Sequence, residues 1–230
     1  MRVAITLSAN AGVAIDFGGR RIWVDALHDK KQKSFSTVDA SLQQKMLQCQ
    51  AFHDPDYICY THCHGDHYSQ HLTEEALKLW PKAKVLAPEG KFQAFEADEF
   101  LLEEGQLQIR FVRLPHEGEQ YLDVVHYGIF LRHNGRNILI PGDCATASPA
   151  LREAIGGQQV DLALLDFPWL ALRKGKEFVQ EFLADSQVVL YHIPFEADDI
   201  CGYREGARRA VRGTAVPLLM EPLQQIVYEL

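Results

Sequence analysis

The sequence predicts an α+β fold in which two β-sheets pack face to face and helices cover their outer faces. Three observations carry that expectation. The first twenty-four residues read as short apolar strands. A second β-rich stretch runs between residues 107 and 140. From residue 149 onward helix and strand patterns alternate. No linker, low-complexity tract or block of like charge interrupts the 230 residues. The chain is therefore expected to be a single domain, 1–230, with no cap or second module.

Residues 3–7 and 13–17 are apolar, and Gly18-Gly19 marks a hairpin turn into a third strand at 21–24. A polar loop with His28 and the run Lys30-Lys31-Gln32-Lys33 follows. Leu42, Met46 and Leu47 fall at helical spacing within 39–50, with Thr37 or Asp39 as the N-cap. Residues 56–60 form a strand. A short helix is expected to open at Thr73 and close at Pro81. Residues 84–87 read as a strand, and 88–95 as a helix beginning at a proline. The alternation of 107–114 marks a half-buried strand that stops at Pro115-His116. Another strand is expected at 124–131. Asn134-Gly135 then turns the chain into 137–140, which runs out at Pro141-Gly142-Asp143. In the last third, 149–155, 175–183 and 205–211 read as helices, 160–165 and 187–191 as strands, and 223–228 as an edge strand.

The balance of charge narrows the partners. Formal net charge is -8 and 23% of residues are charged. Nucleic acid and anionic membrane surfaces demand a concentrated basic face, so neither is expected. No apolar stretch is long enough for a secretory signal or a membrane span. Five cysteines without paired spacing (Cys49, Cys59, Cys63, Cys144 and Cys201) read as reduced thiols, which points to the cytoplasm.

Chemistry concentrates in Thr61-His62-Cys63-His64-Gly65-Asp66-His67, directly after an apolar strand. Imidazole and carboxylate together are ligands for zinc, iron or manganese, not for calcium cages or phosphate loops. Further ligand-type residues stand at strand ends: Asp25, His116, Asp143 and His192. Loops at one sheet edge converge, so such residues can meet in space. The count fits two divalent metals. In extended chain His62 and His64 point the same way; with His116 they would form one site. Gly65 lets the chain turn, so Asp66 and His67 would join His192 at the second, with Asp143 bridging. Cys63 points away by the same parity. His126 rivals His116 as third ligand of the first metal; otherwise it packs near the site. His28, His53, His71 and His133 read mostly as surface residues, with His28 a candidate for the site rim.

These motifs together resemble the metallo-β-lactamase-fold superfamily. The match consists of H-x-H-x-D-H at residues 62–67, Pro115-His116, Gly142-Asp143, the late strand-terminal His192, and Asp25 after Ile22-Trp23-Val24. The resemblance spans essentially the whole chain. It implies a four-layer αβ/βα sandwich of two mixed β-sheets with a dinuclear metal site at one edge, and it implies that Asp25 orients the motif from behind the ligands. The compact size is loosely similar to ascorbate-6-phosphate lactonase-like proteins.

The expected activity is metal-dependent hydrolysis of an ester, lactone or phosphoester of a small molecule. A hydroxide bridging two ions, most readily zinc, with manganese or iron fitting the same ligands, would be the nucleophile. Asp66 and Asp143 would orient it and move a proton to the leaving group. Tyr68, Trp169, Arg173, Lys174, Tyr203 and Arg204 are the candidate substrate contacts; a basic residue facing the metals would favour an anionic or phosphorylated substrate. A homo-oligomer is compatible with the sequence. Two other classes compete. One is a non-catalytic metal-binding or regulatory protein that kept the fold. The other is a thiol redox enzyme using Cys63 or Cys144, which the lack of any C-x-x-C pattern disfavours.

Overall fold

The computed structural model describes residues 1–230. In chain order the elements are β1 (Arg2–Leu7), β2 (Val13–Phe17), β3 (Arg20–Val24), α1 (Ala40–Met46), β4 (Tyr57–Cys59), α2 (Gln70–Leu79), β5 (Lys84–Leu86), β6 (Glu99–Glu104), β7 (Leu107–Arg113), β8 (Tyr127–His133), β9 (Arg136–Ile140), α3 (Pro149–Ile155), β10 (Leu162–Asp166), α4 (Pro168–Ala171), α5 (Arg173–Phe182), β11 (Gln187–Tyr191), α6 (Tyr203–Ala210) and β12 (Gln225–Glu229). They form two mixed six-stranded sheets with six helices, the α+β class the sequence predicts.

By backbone proximity the chain falls into two compact units. The first comprises Met1–Phe95, His192–Arg204 and Leu219–Leu230. Its sheet runs β12-β1-β2-β3-β4-β5, antiparallel from β12 to β3 and parallel from β3 to β5. Parallel neighbours need a crossover, and helices supply both, α1 between β3 and β4 and α2 between β4 and β5. Trp23, Leu42, Met46, Phe52, Ile58, Leu72 and Ala76 are the buried apolar side chains under these helices.

The second unit comprises Glu96–Tyr191 and Glu205–Leu218. Its sheet, β6-β7-β8-β9-β10-β11, repeats the same scheme: antiparallel to β9, then parallel to β11 with α3 and α5 in the crossovers. Its core is built on Leu139, Leu151, Leu165, Trp169, Phe178 and Leu190. Strand for strand, β3 corresponds to β9, so the Asp25 and Asp143 turns leave matching strands of the two sheets.

Several boundaries differ from the sequence expectation. Asp39 is the N-cap of α1, accepting from Leu42 N at 2.8 Å, but the helix stops at Met46. Ser69 caps α2, accepting from Leu72 N at 3.2 Å, so that helix starts at Gln70 rather than Thr73. The expected helix at 88–95 is a single 3-10 turn over Gly90–Phe92. Gly90, the first residue of that turn, sits at φ +77°, a left-handed position that breaks the longer helix expected. Strand β6 is not legible in the sequence: its residues are all exposed or half-buried and half of them are glutamate. Short α4 was likewise not expected. Asn134 and Gly135, at φ 49° and 78°, make the expected hairpin between β8 and β9. No helix is long and apolar enough to cross a membrane.

Candidate metal centre

The motif loop owes its place to register. β3 and β4 are parallel neighbours with Val24 opposite Cys59, so both strands end side by side. Asp25 N donates to Cys59 O at 3.0 Å across that gap. Asp25 then turns at φ 50°, a left-handed conformation that costs a non-glycine residue about 1–2 kcal/mol. The turn aims its fully buried carboxylate at the motif. Asp25 Oδ1 accepts Thr61 N at 2.8 Å, and Oδ2 accepts both Thr61 Oγ1 at 2.6 Å and His67 Nδ1 at 2.9 Å.

These contacts fix tautomers. A carboxylate only accepts, so His67 carries its proton on Nδ1 and leaves the Nε2 lone pair for a ligand role. The Thr61 hydroxyl spends its proton on Asp25, so it accepts from His62 Nδ1 at 3.0 Å. His62 Nε2 then carries the ring's lone pair, and it lies 3.0 Å from His64 Nδ1. Two imidazole nitrogens bound to one tetrahedral cation at about 2.0–2.1 Å sit about 3.3 Å apart, so the spacing fits a shared ion. The donor atoms of Asp66, His67 and His192 form a second group, all within 4.8 Å of one another. His192 Nε2 is 4.0 Å from Asp66 Oδ2. His192 also stands at φ 56°, another left-handed strand end, with its N–H on Asn10 O at 2.9 Å.

Gly65 lies in a turn, as the sequence expects. Its φ is not left-handed; the chain turns helically, with His67 N and Tyr68 N both donating to His64 O at 3.0 and 2.9 Å. Glycine is required because a Cβ there would stand 2.7 Å from Lys30 Cβ.

The second unit holds the other two predicted ligands. His116 donates from Nδ1 to Glu117 O at 2.8 Å, which leaves Nε2 as its ligand atom, 3.7 Å from Asp143 Oδ2. Glu117 N donates to Asp143 O at 2.8 Å and Ala145 N to Pro115 O at 2.8 Å, so the two loops are laced together. His126 is fully buried with Nδ1 3.2 Å from Leu114 O, its ring 5.5 Å from that of His116. Lys174 reaches Glu117 Oε2 at 3.6 Å, and Glu117 also accepts Thr146 N at 2.6 Å.

Four candidate substrate contacts do other work. Trp169 is fully buried in the second unit's core, its ring 5.3 Å from that of Phe178. Arg204 is buried and ties Pro194 O, Met220 O and Glu221 together. Arg173 is 90% exposed and pairs along its helix with Glu177. Tyr68 packs edge-on against Tyr60 in the first unit's core, and burial pushes its phenol up to about 12. Lys174 and half-buried Tyr203 remain open to solvent. Trp169→Ala is expected to cost about 3–5 kcal/mol of stability, read from chemical denaturation, and to leave KM unchanged in the protein that remains folded.

His28 is also misplaced by the sequence reading. It is fully buried, donating from Nε2 to Ala9 O at 3.1 Å, while its Nδ1 has no hydrogen-bond partner. Burial, with His67 nearby, lowers its pKa to about 4. The unfolded chain, at about 6.5, therefore takes up this proton first as pH falls. Stability is complete above about 6.5 and declines between 6.5 and 4, by about 3 kcal/mol in all. Urea midpoints of the metal-free protein at pH 7 and pH 4.5 should show this slope, and His28→Gln should flatten it.

Sequence reasoning missed Thr61, the buried hinge between Asp25 and His62, and Phe35, whose ring stacks on His192. Threonine directly ahead of the histidines was the available signal for the first. Nothing local marks the second.

Known structures share this architecture. Igni18, a metallo hydrolase from the hyperthermophilic archaeon Ignicoccus hospitalis, aligns over 100% of both chains with a TM-score of 0.65 at 17% identity. YhfI, a metallo-β-lactamase fold protein from Bacillus subtilis, aligns over 99% of this chain and 98% of its own, with a TM-score of 0.65 at 14% identity. CmlA, a diiron β-hydroxylase from Streptomyces venezuelae, aligns over 99% of this chain and 54% of its own, with a TM-score of 0.66 at 15% identity. No family model matches the sequence, and no curated protein matches it. The chain has the metallo-β-lactamase fold, as its motifs predict. At these identities the likeness establishes the fold, on which both a hydrolase and a hydroxylase are built.

Proposed function

We propose that the chain is a dinuclear metal-dependent hydrolase of a small-molecule ester, lactone or phosphoester. The observation that carries this is the state of the donor set. His62, His67 and His116 each have Nδ1 tied to a protein oxygen, which leaves Nε2 as the ligand atom. His62, His64 and His116 would hold one ion and Asp66, His67 and His192 the other, with Asp143 shared. The residues present fit such ions: imidazoles and carboxylates, without a competing thiolate, suit zinc, manganese or iron.

Bound there, the ions would supply a Lewis acid for a carbonyl or phosphoryl oxygen and an acidified water for attack. The protein's own part is positioning and proton transfer. Asp25 and Thr61 hold the histidines in the ligating tautomer. Asp66 and Asp143, a buried and a half-buried carboxylate, would take the proton of the attacking water and return it to the leaving group. Lys174, paired with Glu117, the residue after His116, would be a cation for an anionic or phosphorylated substrate.

A panel of chromogenic esters, lactones and phosphodiesters, assayed with zinc and with manganese, tests the reading, with His64→Ala as control. Turnover that is metal-dependent and undiminished without dioxygen supports it. Turnover only in the presence of dioxygen and reductant would place the chain with the hydroxylase chemistry instead, and a metal-loaded protein inert on every class would favour the non-catalytic alternative.

A further inference from the structure

The segment from Asp29 to Val38 has no regular secondary structure, yet it is fastened down. Asn10 is fully buried and clamps Ser36 from both sides, accepting from its N–H at 2.9 Å and donating to its carbonyl. Ser36 Oγ accepts Phe195 N at 2.9 Å. Ser34 Oγ accepts Ile200 N at 3.0 Å and Cys201 N at 3.2 Å, and donates to Asp198 O at 3.2 Å. Lys31 pairs with Asp198. The same stretch therefore straps down the chain that follows His192. Asn10 serves both sides, because its carbonyl takes the His192 N–H.

Phe35 is the side chain this strap delivers. Its ring lies 4.4 Å from the His192 imidazole at 18° between planes, and 5.8 Å from the Tyr203 ring at 26°. Phe35 thus stacks on both rings. His192 needs such support. It is a left-handed strand-end residue, and its imidazole is joined to the chain by two rotatable bonds. A stacked ring removes the rotation about the second of these. An aromatic face also favours an imidazole that has acquired positive character by giving its lone pair to a cation.

We propose that Phe35 is a positioning residue for His192, holding that imidazole in the ligating orientation so that the second metal binds tightly; this rests on the dinuclear reading above. Phe35 acts through His192 and touches neither metal nor substrate. Its effect should therefore fall on one ion of two and on kcat in preference to KM.

The test compares Phe35→Leu, which keeps apolar volume without a ring, with Phe35→Tyr, which keeps the ring. Each is titrated with zinc against a chromophoric chelator, with circular dichroism to confirm folding. Phe35→Leu should lose affinity for one zinc by about tenfold or more while the other is held as in the wild type. Phe35→Tyr should bind both as the wild type does. In the metal-free protein, the His192 ring resonances should broaden or shift in Phe35→Leu and stay in place in Phe35→Tyr. Equal affinity for two zinc ions in Phe35→Leu and the wild type, with unmoved His192 resonances, would overturn the positioning role and leave the dinuclear reading standing. A wild type that binds neither zinc, manganese nor iron would overturn both.

Discussion

Asp25→Asn is expected to abolish tight metal binding while the protein still folds. The substitution keeps shape and volume but puts an amide where a carboxylate receives three donors. One oxygen remains, and it can keep Thr61 N. The amide nitrogen then faces His67 Nδ1–H, donor against donor. The imidazole escapes the conflict by moving its proton to Nε2, which blocks the atom that ligates. Loss of a partner behind a metal ligand ordinarily costs about 10–100-fold in affinity, and an inverted tautomer belongs at the upper end. Asp25→Ala should be worse for the fold. Asp25 is fully buried, and its removal leaves Thr61 N, Thr61 Oγ1 and His67 Nδ1 without their acceptor, on the order of 4 kcal/mol. Denaturant midpoints and metal titration of the two variants separate the effects: Asn moves affinity most, Ala moves both.

Removing a ligand itself should have the largest effect on turnover. His62 is fully buried, with Thr61 behind it and His64 Nδ1 3.0 Å from its Nε2. His62→Ala is expected to release the ion it shares with His64 and to lower kcat/KM on the best substrate by about a thousandfold, or about 4 kcal/mol of transition-state stabilisation. Its fold should survive, since the space left is lined by the polar Thr61 hydroxyl and His64 imidazole. Steady-state kinetics with metal analysis on the same sample checks this; unchanged kcat/KM with full metal would remove His62 from the centre.

Legibility followed the range of the interactions involved. The order and class of the elements, the hairpin turns at Gly18-Gly19 and Asn134-Gly135, and the ligand-type residues at strand ends are local properties, and period and turn chemistry reveal them. Asp25 was legible for the same reason, as a carboxylate closing a strand. Strand β6 was not, because an edge strand that exposes Leu101 and half-buries Glu104 lacks the apolar alternation that marks a half-buried one. The fates of Trp169 and Arg204 depend on partners distant in sequence: one in a core, the other bonded to carbonyls of two separate loops. His28 is the clearest case. A histidine in a polar loop reads as surface, yet the loop folds back and buries it against Ala9 O. Phe35 likewise gains its role from the Asn10, Ser34 and Ser36 bonds, which no spacing announces.

The central claim is that the donor set holds two ions. Purified protein, stripped with chelator and dialysed against micromolar zinc, should carry two zinc ions per chain by elemental analysis, and one or fewer in His62→Ala. A wild type that retains one zinc or fewer, and no more of manganese or iron in its place, would contradict it.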